Sequence, residues 1–155
     1  MWDKRAKFRG KSTDTGEWIK GTGFCGIDCV RDFAGGKPAV WIFTGIPKSG
    51  IGARAANVSC LPEYAVSIDP ETFGRYSGTE DLFGNEIYEG DILSWKDDED
   101  TYFFEVVVAN GMFVANVGNT YETDPLCDML ICADLRVVGN IFDNPELVKR
   151  MEEQK

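Results

Sequence analysis

The chain contains no histidine among its 155 residues. Catalytic triads with an imidazole base, histidine proton shuttles and histidine-ligated metal sites are therefore excluded. No apolar run approaches the roughly 18 to 20 residues that a membrane-spanning helix needs. Residues 1–5 also lack the apolar stretch of a secretory signal. We therefore expect a soluble, cytoplasmic protein with no membrane partner.

Basic residues are scarce, with 16 lysines and arginines against 26 acidic residues and a net charge of −10. Residues 1–55 hold ten basic and five acidic residues, whereas residues 56–155 hold six basic and twenty-one acidic ones. The acidic total disfavours broad nucleic-acid binding, because phosphate contacts need lysine and arginine. Our first interpretation of this uneven charge is two solvent-exposed faces of opposite sign. Attraction between the halves or between copies, and a basic face for an anionic partner, remain open.

Cysteine pairs at the two-residue spacing of redox motifs and zinc knuckles are missing. The five cysteines are Cys25, Cys29, Cys60, Cys127 and Cys132. Their odd number favours reduced thiols in a cytosol. A zinc site of four thiolates, joining the first pair to the last, remains open. We expect small buried side chains instead, with no metal and no cofactor.

Hydrophobic residues make up 43% of the chain, enough for the core of one domain of ordinary size. In the first half, strands are predicted over residues 7–10, 17–20 and 39–44, with a turn over residues 12–16. The glycine-rich segment 45–60 is predicted to be a mobile loop.

Short strands and turns alternate more closely in the second half. Strands are predicted over residues 64–68, 72–76, 92–95, 102–109, 112–117 and 135–141, and turns over residues 82–85 and 89–91. Asn110-Gly111 is typical of a type I′ hairpin. A short helix is predicted over residues 125–132. A second helix is predicted to begin at the Asn144 cap and Pro145 and to run to about Glu152. This pattern favours a mainly β barrel or roll.

Several segments, in the same order along the chain, resemble the YopX family of phage and prophage proteins. They are residues 7–11 with 16–18, residues 68–72 with 76–78 and 85–92, and residues 138–147. The resemblance implies an SH3-like barrel or roll in the C-terminal portion, with additional N-terminal strands and a C-terminal helix. We expect a single domain over residues 1–155, which could divide into an N-terminal β region (1–62) and the barrel with its helix (63–155). The resemblance supplies no catalytic residues.

The residues that carry the resemblance are expected to maintain the fold. Gly84 and Gly90 suit tight reversals of the chain, and Asn140 suits a turn tied by its side-chain amide. Core positions are expected for Ile87, Ile92 and Trp95. Tyr88 and Trp18 are expected to bury their rings while their polar tips find partners.

Three motifs suggest ligands but do not meet the full pattern. Residues 21–26 spell G-x-G-x-x-G, yet no strong helix start follows, as the dinucleotide fingerprint requires. The loop around Lys48 and Arg54 offers a weak phosphate contact without the P-loop spacing. The acidic run 97–100 lacks the spacing and glycine of an EF-hand.

The leading hypothesis is a non-enzymatic accessory protein that binds another macromolecule, foremost a protein, or associates with itself. The alternative is nucleic-acid binding through the basic N-terminal third, where cations lie beside aromatic residues. Candidate anion or nucleic-acid contacts are Lys7, Arg9, Lys11, Lys48 and Arg54. An enzyme of unknown type and an acidic mimic of nucleic acid also remain open.

Overall fold

The computed structural model describes residues 7–27, 39–44, 65–116 and 123–154. The chain forms two compact units, Met1–Arg75 (unit 1) and Tyr76–Lys155 (unit 2). The predicted glycine-rich loop at residues 45–60 and the predicted domain boundary after residue 62 both lie outside the described residues.

Unit 1 is built from antiparallel strands. Its strands are β1 (Phe8–Lys11), β2 (Trp18–Gly21), β3 (Gly23–Ile27), β4 (Ala39–Phe43) and β5 (Ala65–Ile68). β1 pairs with β2, and β4 lies between β3 and β5. Ile42 of β4 and Ile68 of β5 are fully buried, so these neighbouring strands bury aliphatic side chains.

The turn between β1 and β2 confirms the predicted reversal at residues 12–16. The Ser12 hydroxyl oxygen accepts hydrogen bonds from the N–H groups of Asp14 and Thr15, at 3.2 and 3.3 Å. The Gly16 N–H also donates to the Ser12 carbonyl oxygen at 2.9 Å. Serine hydroxyls stabilise such turns by satisfying local backbone groups.

A strand that the sequence predicted over residues 72–76 begins later in the structure. Pro70–Thr72 form a short 3-10 helix, and strand β6 runs over Gly74–Glu80. The Asp69 side chain accepts a hydrogen bond from the Glu71 N–H at 3.1 Å. This cap and the proline at the first helical position favour a helical turn, which outweighs the extended preference of the residues that follow.

Unit 2 contains a five-stranded antiparallel sheet and two helices. Its further strands are β7 (Glu86–Tyr88), β8 (Asp91–Lys96), β9 (Thr101–Ala109), β10 (Met112–Asn116), β11 (Thr123–Pro125) and β12 (Arg136–Asn140). The helices are α1 (Leu126–Cys132) and α2 (Pro145–Glu153). The order in the sheet is β11-β10-β9-β8-β12, and β7 pairs with the end of β6.

The core of unit 2 lies on one face of this sheet. Phe104 and Val106 alternate along β9 and are buried together with Leu93 of β8 and Ala115 of β10. Leu126 of α1 completes the cluster. Burying each large aliphatic side chain stabilises the fold by about 1.5–3 kcal/mol. This core therefore fixes β8, β9 and β10 relative to one another.

The predicted mainly β fold with two short helices, one of them C-terminal, is confirmed. Asn110 and Gly111 both have positive φ angles, 52° and 79°, as a type I′ hairpin requires. Asn144 precedes α2 as predicted, but it makes no side-chain cap hydrogen bond. Its Oδ1 accepts the Asn140 N–H at 3.1 Å instead.

The glycine pattern at residues 21–26 does not open a helix. Gly23–Ile27 form strand β3, which pairs with β4. A dinucleotide fingerprint needs a helix N-terminus at this point to receive the pyrophosphate. Among the described residues, no helix is long and apolar enough to cross a membrane.

Candidate interaction surface

A turn in unit 2 is held by one buried carboxylate. Asp81 is 6% exposed and stands where β6 ends. Its Oδ1 accepts the N–H groups of Phe83 and Asn85, both at 2.9 Å. Its Oδ2 accepts the Asn85 side-chain amide at 2.9 Å and the Val137 N–H at 3.0 Å. Four donors thus meet one side chain, which joins the turn to strand β12.

These hydrogen bonds decide the charge state of Asp81. Burial on its own would raise the pKa of this carboxyl. The hydrogen bonds from Asn85, Val137 and Phe83 favour the ionised form and together hold the pKa of Asp81 below its ordinary value. The turn is therefore organised around an anion whose charge is balanced by dipoles rather than by a cation.

Two large apolar side chains project from this turn. Leu82 is 65% exposed and Phe83 is 63% exposed. The Arg136 guanidinium carbon lies 4.8 Å from the centroid of the Phe83 ring, within the range of a cation–π contact. We call Leu82 and Phe83 the apolar turn. Because Asp81 fixes its backbone, the two side chains are presented to solvent from a defined position.

Two glutamates stand at the base of the apolar turn. Glu80 of β6 lies directly opposite Glu86 of β7 in the antiparallel pairing. The Glu86 Oε2 accepts the Tyr88 hydroxyl at 2.8 Å, whereas Glu80 is exposed. Directly opposed residues of a sheet share one face. The carboxyl side chains of Glu80 and Glu86 therefore lie on the same face at the base of the turn.

The segment that follows β7 maintains the fold. The Tyr88 N–H donates to the Asp91 Oδ2 at 2.7 Å, and both residues are buried. Gly90 between them has a φ angle of 81°, and a Cβ there would lie 3.1 Å from the Phe142 ring. A side chain at this position would be strained in its backbone and crowded by the ring. Ile87 and Ile92 are fully buried, as predicted.

Asn140 ties the turn before α2, as the sequence predicted. Its Oδ1 accepts the N–H groups of Phe142 and Asp143, at 3.0 and 2.9 Å. Its Nδ2 donates to the Asp143 Oδ2 at 3.0 Å. The polar atoms of this motif are engaged within the turn, which is a structural role.

A second surface lies on the β1–β2 hairpin of unit 1. Lys11 is paired directly with Trp18, and Arg9 directly with Lys20. The Arg9 guanidinium carbon and the Lys11 Nζ lie 4.7 and 5.6 Å from the centroid of the Trp18 ring. We call these four residues the basic face. It places two cations against one aromatic ring and a third, Lys20, opposite Arg9, which is the composition of a single-strand nucleic-acid surface.

Of the five residues predicted to contact an anion, three lie among the residues that the structure describes. Arg9 and Lys11 meet on the basic face, and Lys7 precedes β1. Arg9 is 8% exposed, because its guanidinium packs on Trp18. Lys48 and Arg54 lie outside the described residues.

The acidic loop at residues 97–100 and the described cysteines form no metal centre. Residues 97–100 are all exposed, with the Asp97 N–H donating to the Asp100 carbonyl oxygen at 2.9 Å. Cys127 and Cys132 are exposed free thiols in α1. The expected burial of cysteine is therefore wrong for these two residues. Within the described ranges, no group of three or more Cys, Asp or Glu side chains is placed to hold a metal ion.

The pKa of one carboxyl in the sheet of unit 2 is shifted in the opposite direction to that of Asp81. Glu105 stands on β9 between Ile92 of β8 and Asn116 of β10. Burial raises its pKa above the ordinary value. Sequence reasoning missed this residue, because a glutamate in a strand is ordinarily read as facing solvent.

Sequence reasoning also missed the apolar turn. The turn at residues 82–85 was predicted, but its two apolar side chains were not assigned a role. An adjacent leucine and phenylalanine at turn positions are the available signal, because most large apolar residues of a small domain enter its core.

Comparison with known proteins supports one family. The family model described as YopX protein matches residues 47–149. No curated protein matches the chain significantly. One solved structure, the crystal structure of protein EF1440 from Enterococcus faecalis, is similar over 92% of this chain and 96% of its own, with 22% sequence identity and a TM-score of 0.49.

Proposed function

The chain belongs to the YopX protein family, and from this premise we propose that it is a non-enzymatic accessory protein of phage or prophage type that binds another protein. The proposed location is the cytoplasm. The observation that carries the proposal is the apolar turn, where Leu82 and Phe83 are both more than half exposed while Asp81 holds their backbone.

Exposure of these apolar side chains to water is unfavourable, and burial against a partner would be favourable. Isolated exposed leucines are common, but adjacent large apolar residues with an arginine against the ring form the composition of an interface centre. A surface that is already ordered loses little entropy on association. The hydrogen bonds to Asp81 provide that order. The apolar turn is thus suited to dock into a pocket of a partner.

The direct test is affinity capture from a lysate of the source cells, followed by mass spectrometry. The full-length chain is compared with the double variant Leu82→Ser/Phe83→Ser. Met112→Ser is the matched control, because Met112 is also exposed but lies in the β9–β10 hairpin, away from the apolar turn. We expect the same proteins with wild type and control, and their loss with the double variant.

Two results together would contradict the proposal. One is the absence of any protein captured by the wild type and lost with the double variant. The other is a strictly monomeric sedimentation profile, which would remove self-association as the form of binding.

Nucleic-acid binding by the basic face is the second candidate function, favoured by the cations around Trp18. Lys11 and Lys20 are the residues to supply phosphate contacts, since Arg9 is largely covered. Binding of a single-stranded oligonucleotide should weaken steeply with added salt and should weaken with Lys20→Glu. Binding that is unaffected by salt would contradict this mechanism.

A further inference from the structure

Glu105 stands on the second face of the unit 2 sheet, away from the main core. Phe104 and Val106 belong to that core, so Glu105 between them points to the opposite face. Ile92 of β8 and Asn116 of β10 lie directly opposite Glu105 in the two pairings and therefore share its face. Ile92 is fully buried, which shows that this face is also covered.

Helix α2 provides the cover. It packs against β9, where the Phe103 N–H donates to the Gln154 Oε1 at 2.7 Å and the Gln154 Nε2 donates to the Phe103 carbonyl oxygen at 3.0 Å. Met151 of α2 and Val114 of β10 are buried and belong to a different set from the main core cluster. Val114 is two positions from the residue opposite Glu105 and shares its face. The surroundings of Glu105 are therefore largely apolar.

The charged side chains of the elements around Glu105 point elsewhere. β9 has no other charged residue and β10 has none, while Lys96 at the end of β8 is exposed. Asp91 of β8 is buried, but it alternates with Ile92 and so faces the other side, where it accepts the Tyr88 N–H. Burial therefore disfavours the ionised carboxyl and raises the pKa of Glu105. The charged residues of α2 are all exposed, namely Glu146, Lys149, Arg150, Glu152 and Glu153.

The Asn116 side chain supplies the acceptor of the site. Its Oδ1 is buried and accepts no hydrogen bond from the part of the chain that the structure describes. An ionised carboxylate offers only acceptors, so it cannot bond to this oxygen. A neutral carboxyl has one O–H donor, which satisfies it. Because a buried acceptor without a donor is unfavourable, the pairing of Glu105 with Asn116 favours the protonated form.

We propose that Glu105 is a proton-binding site and that its neutral carboxyl donates a hydrogen bond to the Asn116 Oδ1 beneath α2. As the pH rises, loss of this proton breaks the bond and leaves a charge under the helix. α2 is then held less firmly on β9. The proton thus links pH to the docking of the C-terminal helix, a role that is separate from binding by the apolar turn.

The test follows the Glu105 carboxyl carbon by NMR over a pH series in isotope-labelled full-length protein, and Glu105→Gln identifies its signal. Asn116→Leu is the main variant, because leucine keeps the size of asparagine and removes the acceptor. We expect the proton affinity of Glu105 to fall by about fivefold. Met112→Leu, an exposed change in the same strand, should leave it unchanged. An unchanged or increased affinity in Asn116→Leu would overturn the proposal, because burial alone would then control the proton.

A second variant decides the matter if Asn116→Leu does not fold. Asn116→Asp places another carboxyl opposite Glu105, and two neighbouring carboxyls favour sharing one proton. We expect the higher of the two apparent proton affinities to exceed that of Glu105 in wild type by about tenfold. No increase would show that the two side chains do not meet, and the proposal would fail.

Amide hydrogen exchange tests the link to α2. Glu105→Gln is the reference, because glutamine keeps a donor for Asn116 and does not ionise. We expect the protection of the α2 amides in wild type, relative to this variant at the same pH, to fall by about threefold or more as the pH rises through the titration of Glu105. Equal protection of the two proteins across the series would overturn the link between the proton and the helix.

Discussion

Each unit contains a directly opposed pair of like charges, and the two pairs differ in what surrounds them. In unit 1, Arg9 opposes Lys20, and the guanidinium is packed on Trp18 and largely buried. In unit 2, Glu80 opposes Glu86 beside side chains that project into solvent. The cations of unit 1 are thus partly used in internal packing. The apolar side chains of Leu82 and Phe83 in unit 2 remain exposed to solvent.

The aromatic rings show the same difference. Trp18 is partly buried beneath two cations, whereas Phe83 contacts one arginine and stays 63% exposed. A cation–π contact in a covered site stabilises a fold more than one in water. We infer that the ring in unit 1 contributes mainly to stability and that the ring in unit 2 is available for binding.

Asp81→Ala should have the largest effect on stability. It removes four hydrogen bonds to a buried carboxylate and takes the acceptor from three backbone N–H groups, those of Phe83, Asn85 and Val137. We expect a loss of about 3 kcal/mol in the free energy of unfolding, measured by urea titration. Asp98→Ala is the control, because that side chain is exposed. Equal losses in the two variants would show that Asp81 does not organise the turn.

Trp18→Leu and Phe83→Leu compare the two rings directly. We expect Trp18→Leu to lower the free energy of unfolding by about 1–2 kcal/mol, through lost packing and two lost cation–π contacts. Phe83→Leu should change it by less than about 0.5 kcal/mol. Both values come from denaturant titrations. A larger cost at Phe83 than at Trp18 would reverse the assignment of roles.

The pH dependence of stability should differ in sign between Glu105 and Asp81. The folded-state pKa of Glu105 is raised above 4.5, so its contribution is fully present below pH 4.5 and is lost as the pH rises through the folded value. Glu105→Gln should therefore be more stable than wild type at neutral pH, and this advantage should shrink as the pH falls through the folded-state pKa and be gone below pH 4.5. An advantage that is constant with pH would contradict burial as the cause.

For Asp81 the folded-state pKa lies below 3.8. Its contribution is present above pH 3.8 and is lost as the pH falls through the folded value. Thermal unfolding over a pH series measures the difference in stability between wild type and Asp81→Asn. This difference should narrow at the acidic end of the series. A gap that widens on acidification would contradict the lowered pKa.

The smallest effects concern the opposed pairs themselves. Glu80→Lys should change the free energy of unfolding by about 1 kcal/mol at most, because Glu80 is exposed and surface charge pairs contribute little. Lys20→Glu should stay within the same limit, since Lys20 is exposed as well. The measure is chemical denaturation at low salt, and added salt should reduce both changes. A loss of several kcal/mol in either variant would contradict a surface position for that side chain.

Local signals in the sequence predicted much of the fold. Asn110-Gly111 predicted the hairpin, and Pro145 predicted the start of α2, because both depend on neighbouring residues alone. The strand expected over residues 72–76 failed where a local cap at Asp69 favoured a helical turn. The SH3-like description, which came from the family resemblance, remains a prediction.

The candidate surface depended on contacts that are distant in sequence. Asp81 and Val137 are 56 positions apart, and their hydrogen bond joins the turn to β12. The contact of Arg136 with Phe83 likewise joins β12 to the turn. Periodicity and turn chemistry carry no information on such pairs. The sequence therefore predicted a turn at residues 82–85 but not its role.

The most direct test of the account is the affinity of a captured partner for wild type and for Leu82→Ser/Phe83→Ser, measured by titration calorimetry on full-length proteins. We expect the double variant to bind at least about thirtyfold more weakly while its free energy of unfolding stays within about 0.5 kcal/mol of wild type. Equal affinity of the two proteins for that partner would contradict the central claim that the apolar turn is the binding surface.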